Sequence, residues 1–145
     1  DGPLGPHIEA AIWQGGDNWR PLGGLPGAVP CGNDFSGSYD VSNDGKVVGL
    51  AWGGAPCSGG HAFEWTEATG MVDKGSIVAD RSSRANGISS DGATIIGDSS
   101  SMGGFRWRAE TGMQQLSRPF DALGAVPLDD WRIMRRTGSA LARYR

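Results

Sequence analysis

The sequence lacks long apolar runs, excess positive charge and the usual clusters of metal-binding side chains. No stretch of 18 apolar residues occurs, which argues against a transmembrane helix and membrane insertion. The net charge is −3, so no general attraction to nucleic acid or to an anionic membrane is expected. No signal peptide is visible. The two histidines, His7 and His61, are too few and too far apart to predict a zinc site, and no cofactor is indicated.

Cysteine is equally scarce. Cys31 and Cys57 lie in segments rich in Gly and Pro, without a Cys-x-x-Cys or Cys/His motif. A disulfide between them would tie together two loops that flank a predicted hairpin, and the alternative is a pair of free thiols. Two cysteines alone do not fix the redox compartment.

Glycine and proline, by contrast, are abundant, at 25 and 8 of the 145 residues. A chain of this length is enough for one domain with one core. The turn-rich composition favours many short strands over long helices. The expected fold class is therefore all-β.

One unit, Ala85 to Leu116, displays this pattern most clearly. It reads as four strands joined by turns, and the Asp-Gly pair at 91 and 92 accepts the positive φ that a hairpin turn requires. Thr-Ile-Ile fits a pleated surface, and Phe-Arg-Trp-Arg places both aromatic rings on one face. The predicted strands are Ala85 to Ser89, Thr94 to Asp98, Phe105 to Arg108 and Met113 to Leu116.

The same unit occurs earlier in the chain. Asp-Gly turns begin at Asp44 and Asp91, 47 residues apart, and Phe-x-Trp motifs begin at Phe63 and Phe105, 42 residues apart. The loop after the second strand is longer in the earlier copy, which explains the difference. The chain divides into a partial repeat over 10–37, repeats over 38–83 and 84–117, and an Arg-rich tail or further partial repeat over 118–145.

Four-stranded repeats of this period predict propeller-blade-like units in a single β-repeat domain, with a twisted β-sandwich as the alternative fold. Two complete copies cannot close a ring, because at least four blades are usual. Repeats also need neighbours to bury their faces. We therefore expect self-association that completes the sheet stack, most simply as a dimer. The alternatives are an open curved stack of sheets and a piece of a longer protein.

The repeated motif carries a family resemblance. Ile/Val-Ser-x-Asp-Gly, then a Ser/Gly loop, then Ala-Phe-x-Trp and Gly-Met resembles the HAF-type extracellular repeat, and residues 61–63 spell His-Ala-Phe. The resemblance covers residues 38–117 well and 10–25 weakly. It implies an exported bacterial protein, secreted or at the cell surface, and it says almost nothing about activity.

One motif suggests catalysis. Gly97-Asp98-Ser99-Ser100 resembles the nucleophile block of Gly-Asp-Ser esterases, which need a His base and a carboxylate that orients it. His61 is the candidate base. The repeat, however, aligns Gly97-Asp98-Ser99 with Gly49-Leu50-Ala51, which makes the tripeptide an ordinary strand exit. The alternative function is therefore a small esterase-like serine hydrolase, whose catalytic candidates would be Ser99, Ser100, His61 and Asp98.

A second motif suggests a cation. Asp40-Val-Ser-Asn-Asp44-Gly has the alternating oxygens of a calcium loop, but position 51, where a bidentate Glu is expected, is Ala. A structural hairpin turn is the favoured interpretation, and Asp40 and Asp44 remain the only metal candidates.

The six tryptophans divide into two groups. Trp65 and Trp107 repeat at one position, which predicts packing between repeats, and Trp13 belongs with them. Trp19, Trp52 and Trp131 do not repeat and lie near Gly-rich loops, which suits stacking on sugar rings or binding to a protein. Burial in the core or in an interface is the alternative for each of them. The loops that differ between copies are Gly24 to Ser38, Gly53 to Gly60 and Lys74 to Arg84. The sequence thus favours a noncatalytic exported protein that binds a glycan or a protein partner through such loops.

Overall fold

The computed structural model describes residues 7–53, 59–79 and 81–116. Every regular element in these ranges is a β-strand, which confirms the all-β class, and the ten strands form three antiparallel sheets. None of the described residues forms a helix long and apolar enough to cross a membrane. The first sheet contains β1 (Ala10–Trp13) and β2 (Trp19–Gly23). The second contains β3 (Ser36–Val41), β4 (Val47–Trp52), β5 (Gly60–Thr66) and β6 (Gly70–Asp73). The third contains β7 (Ser83–Ile88), β8 (Ile95–Ser99), β9 (Gly103–Arg108) and β10 (Gly112–Gln115).

The second and third sheets are the same meander built twice. Each pairs its strands in chain order, and the predicted strands of the third sheet all occur, displaced by at most two residues. The first strand has a bulge at the same place in both, between Ser38 and Asp40 and between Ala85 and Gly87. Phe63 pairs with Gly49, and Phe105 pairs with Gly97, so the register confirms the alignment of the two copies.

The glycine opposite each phenylalanine is required by packing. A Cβ on Gly97 would overlap the carbonyl oxygen of Arg84 and lie 2.6 Å from Cζ of Phe105. A Cβ on Gly49 would overlap the carbonyl oxygen of Gly37 and lie 2.8 Å from Cε1 of Phe63. Both phenylalanines are fully buried. The aromatic ring therefore lies directly over a strand that has no side chain at that point.

Two apolar clusters hold the three sheets together. The cluster between the first and second sheets contains Phe63 and Trp65 packed against Ala10 and Leu22. The cluster between the second and third sheets contains Phe105 and Ile95, packed against Val48 and Ala62. Successive side chains of a strand point to opposite faces, so each sheet has one face on the side of the sheet before it in the chain and one on the side of the sheet after it. We call these its preceding face and its following face. Among the described residues, the second sheet is covered on both sides, whereas the third is covered only on the side of the second.

A serine at the start of each four-stranded sheet bonds two backbone groups that lie in the preceding sheet or directly after its last strand. Oγ of Ser83 accepts the N–H of Ala62 at 2.9 Å and donates to the carbonyl of Gly75. Oγ of Ser36 accepts the N–H of Ala10 at 2.9 Å and donates to the carbonyl of Gly23. The pair β1–β2 thus contacts the second sheet in the same way that β5–β6 contacts the third. In the repeat, β1 and β2 therefore correspond to the third and fourth strands.

The Asp-Gly turns are fixed by their own side chains. Gly45 and Gly92 have φ of 82° and 69°, in the left-handed region that favours glycine. The hydroxyl of Ser42 donates to the carboxylate of Asp44, and that of Ser89 donates to Asp91. These hydrogen bonds are the main cause of a pKa below the ordinary value for both aspartates. A hairpin turn therefore accounts for the polar residues of this motif.

These aspartates predict a specific acid sensitivity. A carboxyl whose pKa is lower in the folded chain contributes stability above its unfolded pKa and loses that contribution as the pH falls through its folded value. In urea unfolding between about pH 6 and pH 2, the double variant Asp44→Asn/Asp91→Asn should show a flatter dependence on pH than the parent chain. Parallel curves for the two proteins would contradict this assignment.

Candidate functional site

The connections that differ between the repeats lie at one end of the sheets. In a meander, the Asp-Gly turns mark one end, and the connections between the second and third strands, and from one sheet to the next, mark the other. At this second end the N–H of Trp52 donates to the carbonyl of Phe35 at 3.0 Å, and the N–H of Ser100 donates to that of Ser82 at 2.8 Å. A Cβ built on Gly53 would lie 3.3 Å from Cδ1 of Leu25, and one built on Gly59 would lie 2.5 Å from Oγ of Ser82. The described parts of the three variable loops therefore lie together, and we call this the loop end.

A cleft of about 200 Å³ opens at the loop end, between the second and third sheets. Trp52 and Leu50 from β4 line one side of it. The other side is polar, and its side chains come from the start of β7 and the end of β8. These polar side chains are Ser82, Arg84, Asp98 and Ser100.

An ion pair forms the polar side of the cleft. Nη2 of Arg84 lies 3.0 Å from Oδ1 of Asp98, and Nε of Arg84 donates to the same oxygen at 3.2 Å. Nδ2 of Asn86 also donates to it, at 2.8 Å. Both charged side chains are about half exposed, at 48% and 50%. The cleft therefore presents a neutralised charge pair, hydroxyl groups and one indole.

Ser99, a predicted nucleophile, lies in the core instead of the cleft. It is 2% exposed, and it lies opposite Ser83 in the sheet. Its Oγ is 2.8 Å from Oγ of Ser76 and accepts the N–H of Ile77 at 3.3 Å. Because these partners hold it between the second and third sheets, its hydroxyl has a structural role. Ser100, one residue later, is exposed and lines the cleft.

The structure separates His61 from both serines. Its Nδ1 lies 2.8 Å from Oδ2 of Asp73. Along β5, His61 alternates in step with Phe63 and Trp65, which face the first sheet, whereas Ser99 faces the second sheet from the third. Asp98, the candidate orienting carboxylate, is bonded to Arg84. Within the described residues, the four catalytic candidates thus do not assemble into a triad.

The tryptophans fall into a different grouping from the one the sequence predicts. Trp13 lies at the position of Trp65 and Trp107, as predicted, but it is 58% exposed whereas Trp65 is 7% exposed. Trp19, predicted to be nonrepeating, occupies a repeated position where the other sheets have methionine. The cross-strand pairs are Trp13 with Trp19, Trp65 with Met71, and Trp107 with Met113. The sequence did not show this equivalence because the residue types differ, and only the register of the strands reveals it.

Trp52 is the nonrepeating tryptophan that the structure places in the cleft, where it is half-buried. Trp131 lies outside the described residues. Sequence reasoning missed Arg84, Ser82 and Leu50 as lining residues. The sequence alone carries no signal for Arg84, because only the register of β7 with β8 places its charge opposite that of Asp98.

The remaining candidates have local partners. Oδ1 of Asp40 accepts the N–H of Val41 and Oδ2 accepts that of Ile88, at 2.9 and 2.8 Å. Across residues 7–53, 59–79 and 81–116, no three His, Cys, Asp or Glu side chains are grouped so that they could hold a metal ion. Cys31 is disulfide-bonded. Cys57 lies outside the described residues, so its pairing with Cys31 stays a prediction.

A second groove, of about 320 Å³, runs beside β1 and is bordered by Trp13, Tyr39 and Val41. Among the described residues, the first sheet contains only the third and fourth strands of the repeat, and the groove lies beside β1, where the other two sheets have their first and second strands. Of the residues that line the groove, only Ser38 belongs to a variable loop. The loop-end cleft is therefore the stronger candidate for a ligand site.

Comparison with known proteins identifies no relative, since no family model, no curated protein and no solved structure matches the chain. The geometry of the cleft is therefore the basis for a functional assignment.

Proposed function

We propose that this protein is a noncatalytic binding module that holds one ring of a neutral oligosaccharide in the loop-end cleft. The observation that carries the proposal is the position of Trp52. It stands at the end of β4, where the variable loops meet, and it lines the cleft together with Ser82 and Ser100 from the opposite side. The corresponding strand exit in the third sheet carries Ser100, so the indole is specific to one copy.

The chemistry of the cleft favours an uncharged sugar. Arg84 and Asp98 neutralise each other, so neither charge is left to select an ion. The hydroxyls of Ser82 and Ser100 can donate to or accept from sugar hydroxyls, and an indole offers an apolar surface with a polar edge. The cleft is also smaller than the roughly 300–1,000 Å³ of pockets that enclose drug-sized ligands. A single ring of a longer chain fits this volume.

A calorimetric titration tests the proposal with cellohexaose, maltohexaose and chitohexaose as probes. We expect one of them to bind, and Trp52→Ala should weaken its binding at least about ten-fold, since the stacking surface is lost. Trp19→Ala is the matched control, because it removes an exposed indole far from the cleft, and its affinity should stay within about two-fold. Loss of binding in Trp19→Ala alone, or no binding of any probe, would overturn the proposal.

The same proposal includes the architecture and the setting. The two four-stranded sheets are propeller blades of the HAF-type repeat, and β1–β2 is the outer half of another. In support, the sheets stack face to face with the same serine bridge at each interface. We place the protein outside the bacterial cell, secreted or at its surface. The disulfide at Cys31 supports this, because such bonds persist in oxidising compartments.

The competing function is a small serine hydrolase that uses Ser99 or Ser100 with His61. Ser100 beside Asp98 in the cleft is the observation in its favour. It predicts hydrolysis of p-nitrophenyl acetate that His61→Ala abolishes. The binding account predicts hydrolysis no faster than in buffer, and the same rate in both proteins, because His61 faces the first sheet.

A further inference from the structure

The two ends of the sheet stack expose apolar faces that differ in kind. The preceding face of the first sheet carries Trp13 and Trp19, which are 58% and 63% exposed. The following face of the third sheet carries Ile96 and Leu116, which are 51% and 48% exposed. Within the described residues, neither face packs against another sheet. We call them the tryptophan face and the isoleucine face.

Each internal interface covers the residues that correspond to the tryptophan face. Trp65 and Met71 of the second sheet are packed against the first sheet, and both are buried. Trp107 and Met113 of the third sheet pack against the cluster it forms with the second sheet, and both are partly buried. Trp13 and Trp19 are the third pair of this series. They lie where the preceding sheet would be.

A cation from the preceding sheet lies over the repeated tryptophan at both internal interfaces. Cζ of Arg20 is 5.3 Å from the ring centroid of Trp65. Nζ of Lys74 is 4.0 Å from that of Trp107. Such contacts are attractive because the ring face is electron-rich, and they are stronger where water is excluded. The described residues place no cation over Trp13.

The isoleucine face resembles the face of the second sheet that covers the third sheet. Ile96 corresponds to Val48, which is fully buried against the third sheet, and Gly104 corresponds to Ala62. Arg106 lies directly opposite Ile96 on β9, two residues after Gly104. Its Nη2 donates to Gln114 at 2.7 Å, and its Nε has no hydrogen-bond partner among the described residues. The face therefore combines an apolar surface with a cation that can lie over an indole.

We infer that the isoleucine face of one copy of this chain packs against the tryptophan face of a second copy, with Arg106 over Trp13. The contact is head-to-tail, so each copy uses both of its faces. Three sheets from each copy make six, within the range of about four to eight blades that close a propeller. The inference rests on the proposed blade architecture, and it does not depend on the sugar ligand.

Light scattering coupled to size exclusion tests the inference over a hundred-fold range of concentration. The parent chain should reach twice the 15.2 kDa of one copy at the upper end. Trp13→Asp and Ile96→Glu should each remain at the mass of one copy. Val29→Glu, which also adds a charge at an exposed apolar residue, is the control and should associate like the parent. Unchanged far-ultraviolet circular dichroism of every variant confirms folding.

Mixing the two variants distinguishes head-to-tail pairing from other contacts. The Trp13→Asp chain keeps a good isoleucine face and the Ile96→Glu chain keeps a good tryptophan face. Their equimolar mixture should therefore form a dimer through one intact interface, although neither variant does so alone. A parent chain that stays at one copy throughout, or an Ile96→Glu chain that still dimerises, would overturn the inference. Trp52→Ala should associate normally, so a failed association and a failed sugar site give different results.

Discussion

Gly97→Ala is expected to destabilise the fold by about 3 kcal/mol or more. The added methyl group meets the carbonyl oxygen of Arg84 and the ring of Phe105, 2.6–2.7 Å from two of its carbons. The backbone oxygen belongs to a paired strand, and the ring is fully buried, so neither can move aside without disturbing the interface between the second and third sheets. Urea unfolding should show this loss as a lower midpoint, or the variant should fail to fold.

Gly104→Ala is the matched control for this prediction. A Cβ there would lie 3.5 Å from Leu116 and 3.8 Å from Gly97, which is ordinary contact. The corresponding residues of the other sheets, Ala10 and Ala62, are already alanine. Because alanine restricts the unfolded chain more than glycine does, the variant should be unchanged or up to about 1 kcal/mol more stable. Equal destabilisation by both substitutions would show that the Gly–Phe packing has been misassigned.

Ser83→Ala is expected to cost about 3 kcal/mol. Its hydroxyl accepts the N–H of Ala62 and donates to the carbonyl of Gly75, and Ser83 is only 2% exposed. Alanine leaves both backbone groups without a partner, and each unsatisfied buried group costs about 1–3 kcal/mol. The free energy of unfolding in urea measures the loss.

Two further alanine variants make this result specific. Ser36 forms the same two bonds to Ala10 and Gly23, so Ser36→Ala should cost a similar amount. Ser90 is exposed, so Ser90→Ala should stay within about 0.5 kcal/mol of the parent. A large cost for Ser83→Ala with none for Ser36→Ala would mean that β1–β2 does not meet the second sheet as a repeat unit.

The strands could be predicted because their signals are local. Asp-Gly at 91 and 92 marks a hairpin by its need for positive φ, and Phe105 with Trp107 marks one face of a strand by alternation. Both signals recur in the earlier copy, so the period was visible without a structure. Chain order then fixed the pairing, since each strand follows its neighbour.

The repeated Trp65 and Trp107 indicated packing between repeats, but the other contacts at the interfaces could not be predicted in this way. Ser83 bonds a backbone group 21 residues away, and no pattern in the sequence distinguishes it from the exposed serines nearby. Trp19 looked unique because its counterparts are methionines, and only the register reveals their common position. Ser99 looked reactive in its motif, yet the turn from β6 to β7 covers it through Ser76.

The cleft combines both kinds of information. Trp52 could be singled out from the sequence as a nonrepeating aromatic beside a variable loop. Its opposite wall could not, because Arg84 and Asp98 become neighbours only through the pairing of β7 with β8. Function in a repeat fold thus depends on the positions where the copies differ, and their convergence is a property of the sheet stack.

The ¹H–¹⁵N spectrum of the labelled protein, titrated with the hexasaccharide that binds, tests the central claim most directly. The chain contains six tryptophans, and each indole N–H gives its own signal that single substitutions can assign. We predict that the Trp52 signal shifts and saturates with the sugar, while those of Trp65 and Trp107 do not move. Saturable shifts at Trp13 or Trp19 with an unmoved Trp52 signal would contradict the assignment of the loop-end cleft as the binding site.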